Sequence, residues 1–367
     1  MRVRGFLLLC AVVAPAAVAA QTSTVARTGV YFESYSFGDG LAFDRISEMT
    51  IPITFTQRFG NRLTLDLGTA YASASVEESG GSTIDYSGLI DTDIRASVGV
   101  IPGRLVFTLV GTLPTGAKAV ADTTIPLFGA TATDLLGFMT PGFGSGGGVS
   151  AGFASAVRLS DSWAVGTGAS YRVGSTYTPV AGGSELSPGG EIRARLGIEG
   201  PFGGGKYFRG AFVYTTNGAN DIGAGQESVI GDRALLYAAL SLPLGRANVA
   251  LYAWNLHRLR ARNENQAGVI AVPRGNVVAL GARMDRPLSP RVTLSPLVEF
   301  RHELAGSAGS METLGYLLRT GADVRYRLSD HAVGVVQGQL AFGQLQDQGT
   351  TVSLSGPRVG ALIEWSR

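Results

Sequence analysis

The chain has 367 residues, of which 45% are hydrophobic and 16% charged, with a formal net charge of +2 and a mean hydropathy of +0.19. That charge balance excludes a polyanionic partner, and no basic cluster interleaved with aromatics suggests nucleic acid. Past the N-terminus no apolar run approaches the roughly 20 residues of a membrane helix. The hydrophobicity is spread instead by alternation, which only strands can use. Of the 30 basic residues only Lys118 and Lys206 are lysines, so the basic chemistry is nearly all guanidinium.

Met1 to Ala20 reads as a secretory signal peptide. It has Arg2 and Arg4, an apolar core from Phe6 to Val18, and small residues at the end, with cleavage expected before Gln21. Cys10 falls within it and follows Leu9, where a lipoprotein signal needs a small residue. The mature chain then has no cysteine, hence no disulfide framework and no thiol chemistry. Export, absence of cysteine and long amphipathic strands together point to the outer membrane of a Gram-negative bacterium.

Strands are predicted over Thr28–Phe37, Glu48–Phe59, Arg62–Val76, Gly88–Ile101, Arg104–Leu113, Val149–Leu159, Trp163–Val173, Glu191–Glu199 and Tyr207–Thr216. They continue over Arg233–Leu244, Ala247–Arg260, Val277–Pro287, Val292–Leu304, the two arms of Leu314–Leu345, and Thr351–Trp365. Pro52 is awkward in a ladder. Residues 21–367 thus form one all-β domain, a transmembrane antiparallel up-and-down β-barrel of about 16 strands (14 to 18 by the softness of strand boundaries). Short links at FGNR, PG, SDS, GPFGGG, GR, LSP and SD alternate with longer segments such as 77–87, 175–190, 217–230 and 263–274. This places both termini on the periplasmic side.

The longest connection, 114–148, is the third external loop. DLLGFM within it can form one helical turn, and PGFGSGGG is a flexible return. Loops of this length are functional or disordered. In general porins the loop at this place folds into the lumen and narrows the pore, which would make Asp134, Phe138 and Phe143 constriction residues. The alternative is a mobile external loop.

The clearest strand periodicity lies in Leu314–Leu345. One face of its first arm carries Tyr316, Leu318, Thr320, Ala322, Val324, Tyr326 and Leu328, and the other Leu317, Arg319, Gly321, Asp323, Arg325 and Arg327. Tilted as in a barrel, the ten residues between Tyr316 and Tyr326 span roughly 25 Å, the height of an outer-membrane apolar band. Tyr316, Tyr326, Trp163 and Trp365 are therefore expected in the aromatic girdles, against outer-membrane lipid. At the C-terminus Val359, Ala361, Ile363 and Trp365 alternate as in the terminal strand read by the barrel-assembly machinery, although the last residue is Arg367 rather than an aromatic.

The segment Ser87–Lys118 resembles putative outer-membrane transporters of the phenol-degradation (MetA-pathway) type, related to FadL-like importers. Gly88, Asp91, Leu113, Pro114, Thr115 and Gly116 carry the resemblance, as a G-x-x-D strand followed by a strand ending in LPTG. It implies a barrel that passes hydrophobic or aromatic compounds. The first strand begins so near the cleavage site that no room is left for the N-terminal plug of FadL-like channels.

Charges on a lipid face cost about 2–4 kcal/mol each at the midplane, so the charged faces must point inward. Asp91, Asp93, Arg95, Arg193, Arg195, Glu199, Arg283, Glu299, Arg301, Arg319, Asp323, Arg325 and Arg327 are the expected lumen lining, joined by Arg158, Arg172, Asp285 and Glu364. Two readings stay open. The lining tunes which small solutes cross passively, or its Arg–carboxylate pairs close the lumen of a structural or surface-binding barrel. The only histidines, His257, His302 and His331, lack the nearby serine or orienting partner that barrel catalysis needs, so no enzyme activity is expected. Neither a metal nor any other cofactor is indicated. The size is compatible with an oligomer, as in trimeric porins, but no interface signature stands out.

Overall fold

The computed structural model describes residues 22–367 apart from 224, 262–266, 268, 272–273, 307–310 and 348. The expected signal peptide with Cys10, and most of the 263–274 segment, lie outside the described residues. Among the described residues sixteen strands make the barrel wall in chain order, and the short segments Asn220–Asp221, Glu227–Val229 and Val269–Ala271 form a separate small sheet. The wall strands are β1 Thr22–Phe37, β2 Phe43–Phe59, β3 Leu63–Glu78, β4 in two segments Thr83–Leu89 and Thr92–Ile101, β5 Leu105–Leu113, β6 Gly148–Arg158, β7 Ala164–Gly174 and β8 Glu191–Pro201. Then follow β9 Tyr207–Asn217, β10 Arg233–Leu244, β11 Ala247–Arg258, β12 Arg274–Pro287, β13 Val292–Gly306, β14 Glu312–Arg327, β15 Ala332–Asp347 and β16 Thr350–Ser366. Each pairs antiparallel with its sequence neighbours, and β16 pairs with β1 from Val25↔Ser366 to Phe37↔Leu354, which closes the barrel.

Three prolines inside strands show how the ladders adapt. Pro52, Pro296 and Pro357 keep their register with one neighbour, opposite Ala70, Ala322 and Leu340. The other ladder skips at each of them, between Thr28↔Ile53 and Tyr31↔Thr50, between Arg283↔Leu297 and Arg286↔Leu294, and between Glu33↔Arg358 and Ser36↔Ser355. Proline has no N–H to donate, so one ladder loses a bond and the other carries the strand.

The wall is uneven in height. Strands β13–β16 and β1–β3 have 15 to 17 residues, whereas β5–β11 have 9 to 12. All turns on the rim that carries the termini are short. On the opposite rim the connections at 38–42, 79–82 and 348–349 are also short, so the expected alternation of short and long links fails on the tall arc. The expected loop 77–87 is mostly strand, since β3 and β4 continue as a hairpin from Glu77↔Thr83 downward. Nor is β4 continuous, because Ile90 and Asp91 break it.

The outer surface is an apolar sleeve. Phe107, Leu109, Ile192, Leu196, Leu236, Leu280, Val336 and Ile363 point away from the barrel, as do Tyr316, Tyr326 and Trp365. Trp163 stands just before β7, with its ring 6.3 Å from that of Phe208. An apolar face this large, on a barrel closed by strand pairing all round, fits lipid rather than water.

Val336 is 61% exposed on this sleeve, while its neighbour Gln337 faces Gly360 and Asp323 on the inside. Val336 lies opposite Val324, between the midplane and the Tyr326 girdle, so Val336→Arg is expected to destabilise the barrel in lipid by about 1–2 kcal/mol, read as a lower urea midpoint for unfolding from vesicles. Gln337→Arg, one residue away on the other face, should shift that midpoint far less.

Candidate functional site

Residues 114–147, between β5 and β6, fold into the barrel. Asp122–Thr124 forms a 3₁₀ turn and Ile125–Thr131 a short helix, α1, with Pro126 in its first turn. α1 itself was not expected; Pro126 has the preset φ of an early helical position. Asp134–Leu136 makes the single helical turn expected within DLLGFM, closed by the Gly137 N–H donating to the Thr133 carbonyl four residues back (3.0 Å).

The insert lies on the tall arc. Leu127, Leu135, Leu136, Phe138 and Phe143 are buried among Tyr35, Ile46, Ala72, Ala74, Val76, Leu317, Ala341 and Leu354. Phe138 meets Tyr35 edge-on at 5.3 Å, and Phe143 contacts the rings of Tyr86 and Phe128. The wall supplies small side chains there: the inward face of β3 is Ala70, Ala72, Ala74 and Val76, which leaves room for the insert's larger ones. Phe138 and Phe143 are thus inside the barrel but packed against its wall, not projecting into open space.

Charged groups dock the turn. Arg319 Nη2 donates to the Leu136 carbonyl (2.9 Å) and to Tyr35 Oη (2.8 Å). Arg301 Nη1 donates to the Leu135 carbonyl (3.2 Å), and Arg258 Nη2 pairs with Asp134 Oδ2 (3.0 Å). Glu299 binds these arginines together: it accepts from Arg301 Nε (2.7 Å) and Tyr252 Oη (2.9 Å) and lies 3.7 Å from Arg319. A Cβ on Gly137, whose φ is +62°, would stand 2.3 Å from Arg301 Nη1, so only glycine lets that guanidinium reach the turn. On β2, Glu48 accepts from the Thr140 N–H (2.9 Å) and from Thr50 Oγ1 (2.8 Å).

Both ends of the insert meet at Asp91. Its Oδ1 accepts from the Gly116 N–H (3.0 Å), and its Oδ2 from the Ser145 N–H (2.6 Å) and Ser145 Oγ (2.8 Å). Thr115 Oγ1 donates to the Ile90 carbonyl (2.9 Å), and the Ala117 N–H to the Phe143 carbonyl (2.8 Å). A Cβ on Gly116 would lie 2.0 Å from that carbonyl. Asp91, Thr115 and Gly116, which carry the family resemblance, therefore form a clasp that spends the Asp91 carboxylate on backbone. The break in β4 exists because Asp91 leaves the ladder to make it. Tyr177, from the next loop, packs over the return at Gly146, and burial pushes its phenol above the ordinary range, the Asp91 carboxylate adding to the effect.

The opposite half of the lumen is open. A cavity of about 1180 Å³ runs from Gly103 and Arg104 at the short-turn rim to Asp91 and Arg172 near the loop rim. Its wall is made of small residues on β5–β7, among them Ser150, Gly152, Ala154, Gly166, Gly168 and Ser170, with Pro141, Gly142 and Ser145 of the insert facing them. Asp93, Arg95, Arg193 and Arg195 all line it. Asp93 accepts from Thr112 Oγ1 (2.6 Å), and Arg193 pairs with Glu191 (3.0 Å).

The remaining expected lining residues divide by location. Glu199 pairs with Arg209 (3.0 Å) toward the short-turn rim, and Arg27 with Glu364. Arg283 bridges Asp323 (2.7 Å) and Asp285 (3.2 Å), and Arg358 reaches Glu33 (3.1 Å). Arg325 and Arg327 are exposed at the short-turn end of β14. An inward strip on β10 and β11 was not expected. Tyr237 is directly opposite Trp254 and Leu235 opposite Leu256, all partly exposed, with Arg301 stacked 5.5 Å over the Trp254 ring. The signal available in sequence was the loss of alternation in Leu235-Leu236-Tyr237, where both faces are apolar. His302 and His257 have as registered neighbours Val278 and Tyr316, and Ala234 and Asn276, none of them a serine.

No family model matches the chain, and no curated protein matches it. Among solved structures it is similar to a bacterial polysaccharide outer membrane secretin (8% identity, over 93% of this chain and 97% of that one, TM-score 0.48). It is also similar to OpdQ of Pseudomonas aeruginosa (12%, 94% and 98%, TM-score 0.47) and to the monoaromatic hydrocarbon channel CymD (12%, 95% and 89%, TM-score 0.43). At such identities and scores the barrel architecture rests on the chain's own strand pairing.

Asp91→Ala removes three hydrogen bonds to a carboxylate, each worth about 1.5–3 kcal/mol when intact. The expected result is fast proteolytic nicking within residues 114–147 while the barrel keeps its heat-resistant gel mobility. Unchanged resistance of the insert would show that Asp91 does not hold it.

Proposed function

We propose that this chain is a bacterial outer-membrane channel for the passive passage of small molecules. The observation that carries the reading is the open cavity along β4–β9, which extends between the rims beside an insert anchored at both ends. A 16-stranded barrel is wide enough that wall side chains alone do not fill it, and the insert fills one half and leaves the other to water. Small side chains on β6 and β7 keep that path wide, and the arginines beside it keep it wet. The apolar strip of Leu235, Tyr237, Trp254 and Leu256, together with the resemblance of Ser87–Lys118 to transporters of the phenol-degradation type, supports hydrophobic or aromatic compounds as solutes. Membrane lipid on the outside and the barrel-assembly machinery at the C-terminal strand are the partners of this reading.

A second reading, a structural or surface-binding barrel closed by ion pairs, draws on the tall arc, where Glu299, Arg301, Arg319, Arg283 and Asp323 are indeed paired. The test is single-channel recording of the refolded chain in planar bilayers, beside a form lacking residues 123–146. Steady steps, larger in the deletion form, are expected. Silence in both would overturn the channel and leave the closed barrel.

A further inference from the structure

The charges inside the barrel are not distributed evenly. Around the insert, on the tall arc and the adjoining β12, guanidiniums are engaged: Arg301 and Arg319 with Glu299 and the insert's carbonyls, Arg283 with Asp285 and Asp323, Arg358 with Glu33. Along the open cavity Arg95, Arg172, Arg193 and Arg195 face the same water. Among the described residues only Arg193 of these four has a carboxylate within ion-pairing distance, that of Glu191. Arg172 reaches Ser145 Oγ at 3.5 Å, a neutral partner. Asp91 holds the insert's backbone, Asp93 accepts from Thr112 Oγ1, Asp66 opposite Arg95 accepts from Thr56 Oγ1, and Glu191 lies opposite Arg172. These carboxylates keep their charge, but the cavity is lined by five arginines, Arg104 included, against the three acids Asp91, Asp93 and Glu191. Arg195 on β8 lines the same cavity as Arg95 on β4 and its own neighbour Arg193, with Glu191 the acid within its electrostatic reach.

Like charges gathered in a narrow lumen with low-dielectric walls repel one another and raise the local concentration of mobile counterions. A guanidinium stays protonated at any physiological pH and presents a fork that matches carboxylate geometry. Arg193 and Arg195 stand about 6–7 Å apart on one face of their strand. An anion can therefore pass from one to the next without being held by either, which conduction requires. The apolar strip begins two strands from Arg195: Val213 of β9 pairs with Arg195 on one side and with Leu235 on the other, and Tyr237 follows on the same face.

From this asymmetry we propose that the open half of the lumen is a track for small organic anions. The acidic group moves along Arg95, Arg172, Arg193 and Arg195, and the apolar body rides against Leu235 and Tyr237. The inference rests on the diffusion-channel reading and names its solute class.

The experiment is a reversal-potential measurement in planar bilayers under a potassium chloride gradient, on the wild-type chain and on the Arg193→Gln, Arg195→Gln double variant, with heat-modifiable gel mobility confirming that both fold. Chloride over potassium selectivity in the wild type, falling to near unity in the double variant at similar conductance, is the expected result. Benzoate should then reduce the chloride current at several-fold lower concentration than acetate. A conducting wild type that prefers cations, or a double variant with unchanged selectivity, overturns the anion track while the channel stands. Equal effects of benzoate and acetate overturn the role of the apolar strip. Absence of conductance in the wild type overturns the channel reading itself, and the track with it.

Discussion

The rest of the structure depends on ring closure through hydrogen bonds. In lipid an unpaired backbone amide or carbonyl costs several kcal/mol, so a sheet can cross only if its last strand finds its first. The β16–β1 ladder does this over most of both strands, from Val25↔Ser366 to Phe37↔Leu354. Once the ring is closed, residue parity is fixed all round, since a one-residue slip would turn every apolar side chain inward and every charge toward lipid. The interruptions at Pro52, Pro296 and Pro357 are tolerated because each affects one ladder only.

Closure at 16 strands creates a second problem, an interior too wide to be filled by the wall. The tall arc and the insert answer it together. Long strands extend the wall at β13–β16 and β1–β3, and alanines on β3 make the hollow into which Leu127, Leu135, Phe138 and Phe143 fit. Arginines on that arc find the carbonyls of the Asp134–Leu136 turn, which would otherwise be buried without donors. The short arc lacks tall strands, and of the cavity arginines there only Arg193 has an ion-pair partner among the described residues, Glu191. The division of the lumen into a packed half and a watered half thus follows from strand length and from where the one long inward loop is rooted.

Much of this was legible in the sequence. Period-two alternation gave all sixteen strands, and the inward side of residues such as Arg195, Glu299 and Asp323 followed from their parity. That the long loop between β5 and β6 enters the barrel was an open alternative that the structure decides. What parity could not give is partnership. Arg301 and Leu135, or Arg319 and Leu136, are far apart in sequence and meet only through the path of the insert. Asp91 looked like another wall charge because its neighbours alternate. Its role appears only when Gly116 and Ser145 are brought beside it. The apolar strip on β10 and β11 escaped for a different reason: where both faces are apolar, alternation no longer says which one looks inward. The turn chemistry at Glu78–Ser82 was hidden in a polar stretch that reads as loop but continues as hairpin.

The insert also gives this barrel two kinds of interior thermodynamics. The outer sleeve has the apolar surface that suits lipid, and in lipid burial of apolar surface against water plays no part once strands are embedded. Leu127, Leu135, Leu136, Phe138 and Phe143, by contrast, are packed away from the aqueous lumen, as in the centre of a soluble protein. Their release would expose apolar area to water and carry a positive heat-capacity change, while the surrounding sheet stays bonded. The molecule is in this sense a small globular core housed in a β-barrel ring, and the core is the part expected to respond to cold, to denaturant and to water structure.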